Sequence, residues 1–144
     1  MGRVSKRKIN VELQKELDEQ LNTLIVSFSG KDEIHQFLGE FLTQEERTML
    51  GKRLVLYMML QKGFRSSEIQ NSLSISLETV RSHKYLLENK RAPFIRKIQK
   101  LIKLEKNRQF WKKIEKAFEP LDLALRSKTD MRARAKFLQG AFDE

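Results

Sequence analysis

The chain has 144 residues, enough for one domain with an appendage, and its 40 % hydrophobic content can form a core. It contains no cysteine, which excludes disulfides, thiol catalysis and cysteine-ligated metals and suits the reducing cytoplasm in which we expect it. The net charge is +10: residues 1–40 carry 6 basic and 7 acidic side chains, whereas residues 91–144 carry 15 and 7. Such a basic block indicates either a polyanionic partner or a solvated helix face.

Helical spacing of apolar residues dominates the chain, and strand or hairpin patterns are missing, so the sequence predicts an all-α fold. We interpret residues 1–9 as a basic N-terminal arm. Asn10 is a predicted N-cap for a first helix that ends at Ser29-Gly30, and a short helix follows Lys31.

The third predicted helix begins at Thr43, which forms a capping box with Glu46, and ends at Lys62 because Gly63 provides a C-terminal stop. Its apolar residues surround more than one face. In so small a chain this predicts either a central helix or one that a second subunit also covers. The longest apolar run is Leu54–Leu60, which is too short to cross a bilayer, so we expect no membrane partner.

Two short predicted helices, Ser67–Leu73 and Leu77–Asn89, follow with almost nothing between them. This is the pattern of a helix-turn-helix at about residues 66–89, in which Ser76 caps the second helix. The outward positions of that helix are predicted to be Glu78, Thr79, Arg81, Ser82, Lys84 and Tyr85. Arginine, serine, threonine and lysine at such a helix start have the chemistry to contact base edges and phosphates of DNA. A helical corner in an unrelated bundle is the alternative.

Residues 91–144 are predicted to form a basic helical extension. Pro93 begins a helix. The apolar face shifts near Asn107, so the segment either breaks there or packs on two different partners. Pro120 is expected to end the segment before a last helix at residues 131–142. Phe110 and Trp111, which lie among lysines, could stack on unpaired bases, but core packing is the favoured interpretation.

The segment "SSEIQNSLSISLETVRSHKYLLE" resembles the helix-turn-helix of LuxR-type regulators, but 20 residues separate Thr43 from Gly63, about two helical turns more than that pattern allows. The longer spacing is similar to that of the Trp repressor superfamily. The element Leu50-Gly51-Lys52-Arg53 and the Glu-Ile-Gln-Asn-x-Leu run at 68–73 are also similar to that superfamily. The resemblance covers about residues 10–90, which we take as one domain.

The resemblance implies a Trp repressor-like helical bundle, a DNA-reading helix that starts at Leu77, and an interlocked homodimer built from residues 10–62. It also implies that Arg53 matches one of two effector-pocket arginines. Ser82 stands at the other arginine and His83 at a neighbouring glycine, so a carboxylate ligand would lose a bidentate cation there. We therefore expect no tryptophan corepressor, and Arg53 is a candidate effector or structural arginine.

The sequence contains no phosphate loop, nucleophile elbow or metal-ligand spacing, so we expect neither an enzyme nor a cofactor or metal site. We predict a sequence-specific DNA-binding transcriptional regulator, most simply a repressor, that binds double-stranded DNA as a homodimer. The predicted base contacts are Thr79, Arg81 and Ser82, and the predicted phosphate contacts are Arg65, Lys84, Lys90 and Arg91. The alternative is an RNA- or protein-binding module that acts through residues 91–116.

Overall fold

The computed structural model of the protein describes residues 7–104 and 107–126, with side chains for 7–104 and 107–117. Every regular element in this described part is an α-helix, which confirms the all-α prediction. The helices are α1 (Val11–Val26), α2 (Lys31–Phe41), α3 (Gln44–Lys62), α4 (Ser66–Leu73), α5 (Leu77–Glu88), α6 (Ala92–Ile102) and α7 (Arg108–Arg126). Most of the predicted N-terminal arm and the predicted helix at residues 131–142 lie outside the described residues.

Side-chain caps define the helix starts that the sequence predicted. The Asn10 side chain accepts a hydrogen bond from the Leu13 backbone N–H at 2.7 Å at the start of α1. At α3 the Thr43 hydroxyl accepts from the Glu46 N–H at 3.2 Å, and the Glu46 carboxylate accepts from the Thr43 N–H at 2.9 Å. The latter bond lowers the pKa of Glu46 because it stabilises the carboxylate. Gly63 follows α3 with a φ of +85°, a left-handed conformation that suits glycine.

The prediction that Pro120 ends a helix was wrong, because α7 continues through it to Arg126. A proline inside a helix removes one backbone hydrogen bond and strains the preceding turn, but turns on either side can sustain the helix. Of the two alternatives for the shift of the apolar face near Asn107, the structure shows the break, since α6 ends at Ile102 and α7 begins at Arg108.

The chain divides into two compact units, and the division falls within α3 between Gly51 and Lys52. The first unit contains α1, α2 and the first part of α3. Its aromatic residues form a short row, with ring centroids 4.7 Å apart for Phe28 and Phe37 and 4.9 Å apart for Phe37 and Phe41. None of its described side chains is buried. Its exposed large apolar residues include Leu13, Leu17, Leu21, Leu24, Ile25, Ile34, Leu38, Phe41, Met49 and Leu50.

The second unit contains the remainder of α3 and helices α4 to α7, and it holds the hydrophobic core. Leu56 and Met59 from α3, Ile69 from α4 and Val80 from α5 are fully buried. Helix α4 packs against both α5 and α7. The core thus fixes α5 to α4, and α4 in turn to the C-terminal helix.

Candidate nucleic-acid interface

Helices α4 and α5 form a helix-turn-helix whose turn consists of Ser74, Ile75 and Ser76. Ser74 has a φ of 50° and a ψ of 55°, the left-handed conformation that lets the chain reverse in so few residues. The Ile75 N–H donates to the Gln70 carbonyl at 3.3 Å, and the Ile75 side chain packs against the core. The turn is therefore held at both its backbone and its apolar side chain.

The start of α5 is fixed by a small group of hydroxyls. The Ser76 hydroxyl accepts a hydrogen bond from the Thr79 N–H at 3.1 Å, which confirms Ser76 as the N-cap. The Ser76 and Thr79 hydroxyl oxygens also lie 2.7 Å apart, within hydrogen-bond distance. Thr79 is half-buried, so less of its side chain is available for a base contact than in the exposed Arg81 and Ser82.

The outward face of α5 begins one turn after this cap. Val80 and Leu87 are buried and anchor the opposite face. Arg81 and Ser82 are exposed, and Lys84 is exposed on the same helix. The described residues offer no hydrogen bond or ion pair to Arg81, so its guanidinium can reach a partner outside the chain.

The phosphate candidates differ in how far they are already engaged. The Arg65 guanidinium forms an ion pair with the Glu68 carboxylate at 3.1 Å, and the Arg65 backbone N–H donates to the same carboxylate at 2.8 Å. This pair neutralises much of the Arg65 charge locally. Lys90 and Arg91 are exposed in the connection between α5 and α6. They are therefore better placed than Arg65 to contact phosphates.

His83 lies on the inner side of α5 against a buried tyrosine. Its Nδ1 lies 3.2 Å from the Tyr57 hydroxyl, and the two rings meet edge to face with centroids 5.6 Å apart. Burial lowers the pKa of His83, and the positive charges of Arg53 and Lys90 lower it further. A neutral imidazole is thus favoured at this position.

His83 and Arg53 stand at two of the positions at which the superfamily resemblance implied an effector pocket. Tyr57 is buried and also meets the Phe94 ring edge to face, with centroids 5.9 Å apart. Arg53 is exposed and has no hydrogen-bond or ion-pair partner among the described residues. The charge of Arg53 acts on the His83 ring, since it helps to lower the pKa of the imidazole.

Two of these contacts were not predicted from the sequence. The Arg65–Glu68 pair has a sequence signal, because oppositely charged residues three apart at a helix start are neighbours. The Tyr57–His83 contact joins residues 26 positions apart on different helices, and no local sequence pattern predicts it.

Trp111 and Phe110 have the structural role that the sequence favoured. Trp111 is buried and Phe110 packs against the same core, which confirms core packing. The Trp111 ring is stacked on that of Phe64, with centroids 6.0 Å apart. Within the described residues no group of three metal-ligating side chains comes together, and none of the described helices is long and apolar enough to cross a bilayer.

Comparison with known proteins agrees with this geometry. A model of the family described as Trp repressor protein matches residues 15–102, which extend from α1 to the end of α6. No curated protein and no solved structure matches the chain. The matched region is more than half of the chain and includes the entire helix-turn-helix. The chain therefore belongs to the Trp repressor protein family of helix-turn-helix DNA-binding regulators.

Proposed function

We propose that the protein is a sequence-specific transcriptional repressor that reads the major groove of double-stranded DNA with α5. The supporting observation is the exposed pair Arg81 and Ser82, one turn beyond a start that the Ser76 cap holds in place. A guanidinium at this position can bridge the two acceptors of a guanine, and a hydroxyl can donate to or accept from a base edge. Thr79, which has a short and half-buried side chain, contributes a further base contact at the N-terminal end of α5.

Phosphate contacts position the reading helix in this proposal. Lys84, Lys90 and Arg91 bind the backbone on either side of the groove, and Arg65 contributes less because Glu68 shares its charge. Such contacts add affinity without reading sequence, and they weaken as salt is added.

The active form in this proposal is a homodimer built from residues 10–62. The first unit exposes a row of large apolar residues along α1 and α2 and buries no described side chain. So much apolar surface is costly in water, and a second copy of the same surface can cover it. Two reading helices related by a twofold axis would select a near-palindrome with half-sites about 10 base pairs apart.

The proposal is tested at Arg81 on duplexes selected from a random pool, with scrambled duplexes for comparison. Arg81→Ala should weaken cognate binding by about 1–3 kcal/mol and relax the preference at one base pair per half-site. Arg81→Lys is the matched control, because it retains the charge but loses the bidentate geometry. It should retain binding to scrambled DNA and still lose the preference. An unchanged cognate-to-scrambled ratio in Arg81→Ala would exclude α5 as the reader.

We further propose that L-tryptophan does not act as a corepressor. By the family resemblance, the position that would pair with the ligand carboxylate is Ser82, which carries no charge, and the neighbouring position is His83, whose ring lies against Tyr57. Added L-tryptophan should therefore leave DNA affinity unchanged in a titration. A tenfold tightening, about 1.4 kcal/mol of coupling, would contradict this.

A further inference from the structure

Helices α6 and α7 share a division between one apolar face and one cationic face. In α6 Ile98 is buried, and Leu101 and Ile102 pack against the core. In α7 Trp111 and Ile114 are buried. At 100° per residue the basic residues of both helices fall opposite these apolar faces. The exposed basic residues are Arg96, Lys97, Lys100 and Lys103 on α6, and Arg108, Lys112, Lys113 and Lys116 on α7.

The lysines on these faces have few acidic neighbours. Helix α6 contains no acidic residue, and Glu115 is the one acidic residue among the described part of 92–117. No described carboxylate forms an ion pair with the lysines of either face. Like charges held on one surface repel each other, and a polyanion that binds there relieves the repulsion and releases its own counterions.

The apolar faces attach this charge firmly to the helix-turn-helix. Trp111 is stacked on Phe64, which immediately precedes α4, and the Lys62 ammonium lies 4.2 Å from the Trp111 ring centroid. Helix α7 itself packs against α4. In helix-turn-helix complexes the first of the two helices crosses the DNA backbone while the second enters the groove. A helix fixed to α4 is therefore carried toward the backbone next to the reading site.

We propose that the outward faces of α6 and α7 form a second, sequence-independent contact with the phosphates of the duplex that α5 reads; this rests on the proposed function. Helix α7 lies beyond residue 102, where the family match ends, so its part of this contact is an addition to the matched region, whereas α6 lies within the match. The faces carry mainly lysines, which bind phosphate as point charges without reading bases.

Duplex DNA suits these faces better than single-stranded nucleic acid does. Binding to unpaired bases requires exposed aromatic rings on which the bases stack. The aromatic residues of α7 whose side chains are described are instead turned into the core, with Trp111 buried and Phe110 half-buried. Phe94 near the start of α6 is 37 % exposed, but its ring meets that of Tyr57 edge to face. The outward faces therefore present mainly charge, which fits the continuous phosphate backbone of a duplex.

The test uses the full chain and a variant in which six lysines become glutamine: Lys97, Lys100, Lys103, Lys112, Lys113 and Lys116. All six side chains are exposed, so the substitutions should not alter the thermal unfolding midpoint. The matched control changes three exposed lysines of the first unit to glutamine: Lys8, Lys15 and Lys31. An intermediate variant, the α7 variant, changes only the three lysines on α7. It shows whether affinity decreases stepwise as charges are removed from the two faces.

Affinity is measured over a salt series on selected and scrambled duplexes that extend about one helical turn beyond the half-sites, about 10 base pairs on each side. The six-lysine variant should bind both duplexes at least tenfold more weakly, with an unchanged cognate-to-scrambled ratio. Its salt slope should be less steep by about 0.9 for each phosphate that the protein no longer neutralises. The α7 variant should show an intermediate decrease, and the first-unit control should show little change.

Three outcomes would overturn the proposal. If the six-lysine variant keeps the wild-type affinity and salt slope while the wild type still prefers its selected site, the second contact fails and the proposed function stands. If the wild type shows no preference between selected and scrambled duplexes, the proposed function itself fails. If single-stranded RNA binds more tightly than either duplex and that affinity falls in the variant, the cationic faces are an RNA-binding surface.

Discussion

The two units of the chain contain similar apolar patterns but differ in what covers them. Along α1 the leucines recur at helical spacing, yet Leu21 is 45 % exposed. Along α4 the same spacing produces Ile69, which is 0 % exposed. Every buried side chain of the described residues lies between Leu56 and Ile114, within the second unit. An apolar stripe thus identifies the face that a helix must cover, but it does not identify the covering surface.

This difference assigns different roles to the two units. The second unit buries its own core and holds α5 in a fixed position on α4, as a reading helix requires. The first unit is small and has no buried side chain among its described residues, and such a unit cannot offset the conformational entropy of folding alone. Its stability in our proposal depends on the second copy.

The largest expected effect is on association, and the change is Leu21→Asp. It places a charge in the proposed interface of both copies, so we expect the dimer to dissociate at least a hundredfold more readily, about 3 kcal/mol. Sedimentation equilibrium measures this directly. Gln20→Asp, which adds the same charge beside it on the helix, is the control and should have a much smaller effect. A wild-type protein that is monomeric at micromolar concentration would contradict the dimer altogether.

An effect of similar size, on folding rather than on association, is expected from Ile69→Ala in the second unit. Because Ile69 is fully buried, truncation leaves a cavity and should lower the free energy of unfolding by about 2–5 kcal/mol. Ile69→Val removes one methylene and should cost about 0.5–1.5 kcal/mol. Urea denaturation measures both. Below the unfolding transition, neither substitution should change the dimer dissociation constant, and a shift in that constant would mean that the two units are not separable in this way.

Helix boundaries and caps were predictable because they depend on local sequence. Asn10, the Thr43–Glu46 pair, Gly63 and Ser76 all act as expected. Each involves backbone groups within a few residues of the cap, so the chemistry is visible in the sequence itself.

The contacts that the sequence did not reveal depend on distant residues or on more than one element. The turns around Pro120 sustain α7 where a local rule predicted an end. Tyr57 and His83 meet only because α3 and α5 belong to the same folded unit. The contact partners of Thr79, Arg81 and Ser82 remain predictions, since they involve a second molecule. The helical period predicted the outward positions of Arg81 and Ser82, whereas Thr79 is half-buried.

The smallest expected effect is on how the stability of the second unit depends on pH. The folded protein lowers the pKa of His83 below its ordinary value of 6.5 through burial and through the charges of Arg53 and Lys90. Between the lowered pKa and 6.5 the folded state therefore binds fewer protons than the unfolded state. The His83 contribution to stability is fully present above pH 6.5 and is lost progressively as pH falls below it. Solvent reaches the half-buried ring and keeps this effect small.

His83→Gln removes this titration. The thermal unfolding midpoint of the variant should therefore vary less with pH between about pH 5 and 8, the range in which histidine is the side chain that ordinarily titrates. Tyr57→Phe is the matched control: it removes the hydroxyl near Nδ1 but keeps the ring that buries the imidazole. Because burial is the largest cause of the shift, Tyr57→Phe should retain the wild-type pH dependence even if it lowers overall stability. Parallel curves for the wild type and His83→Gln would show that His83 titrates alike in the folded and unfolded states. The Tyr57 ring would then not shield it from water.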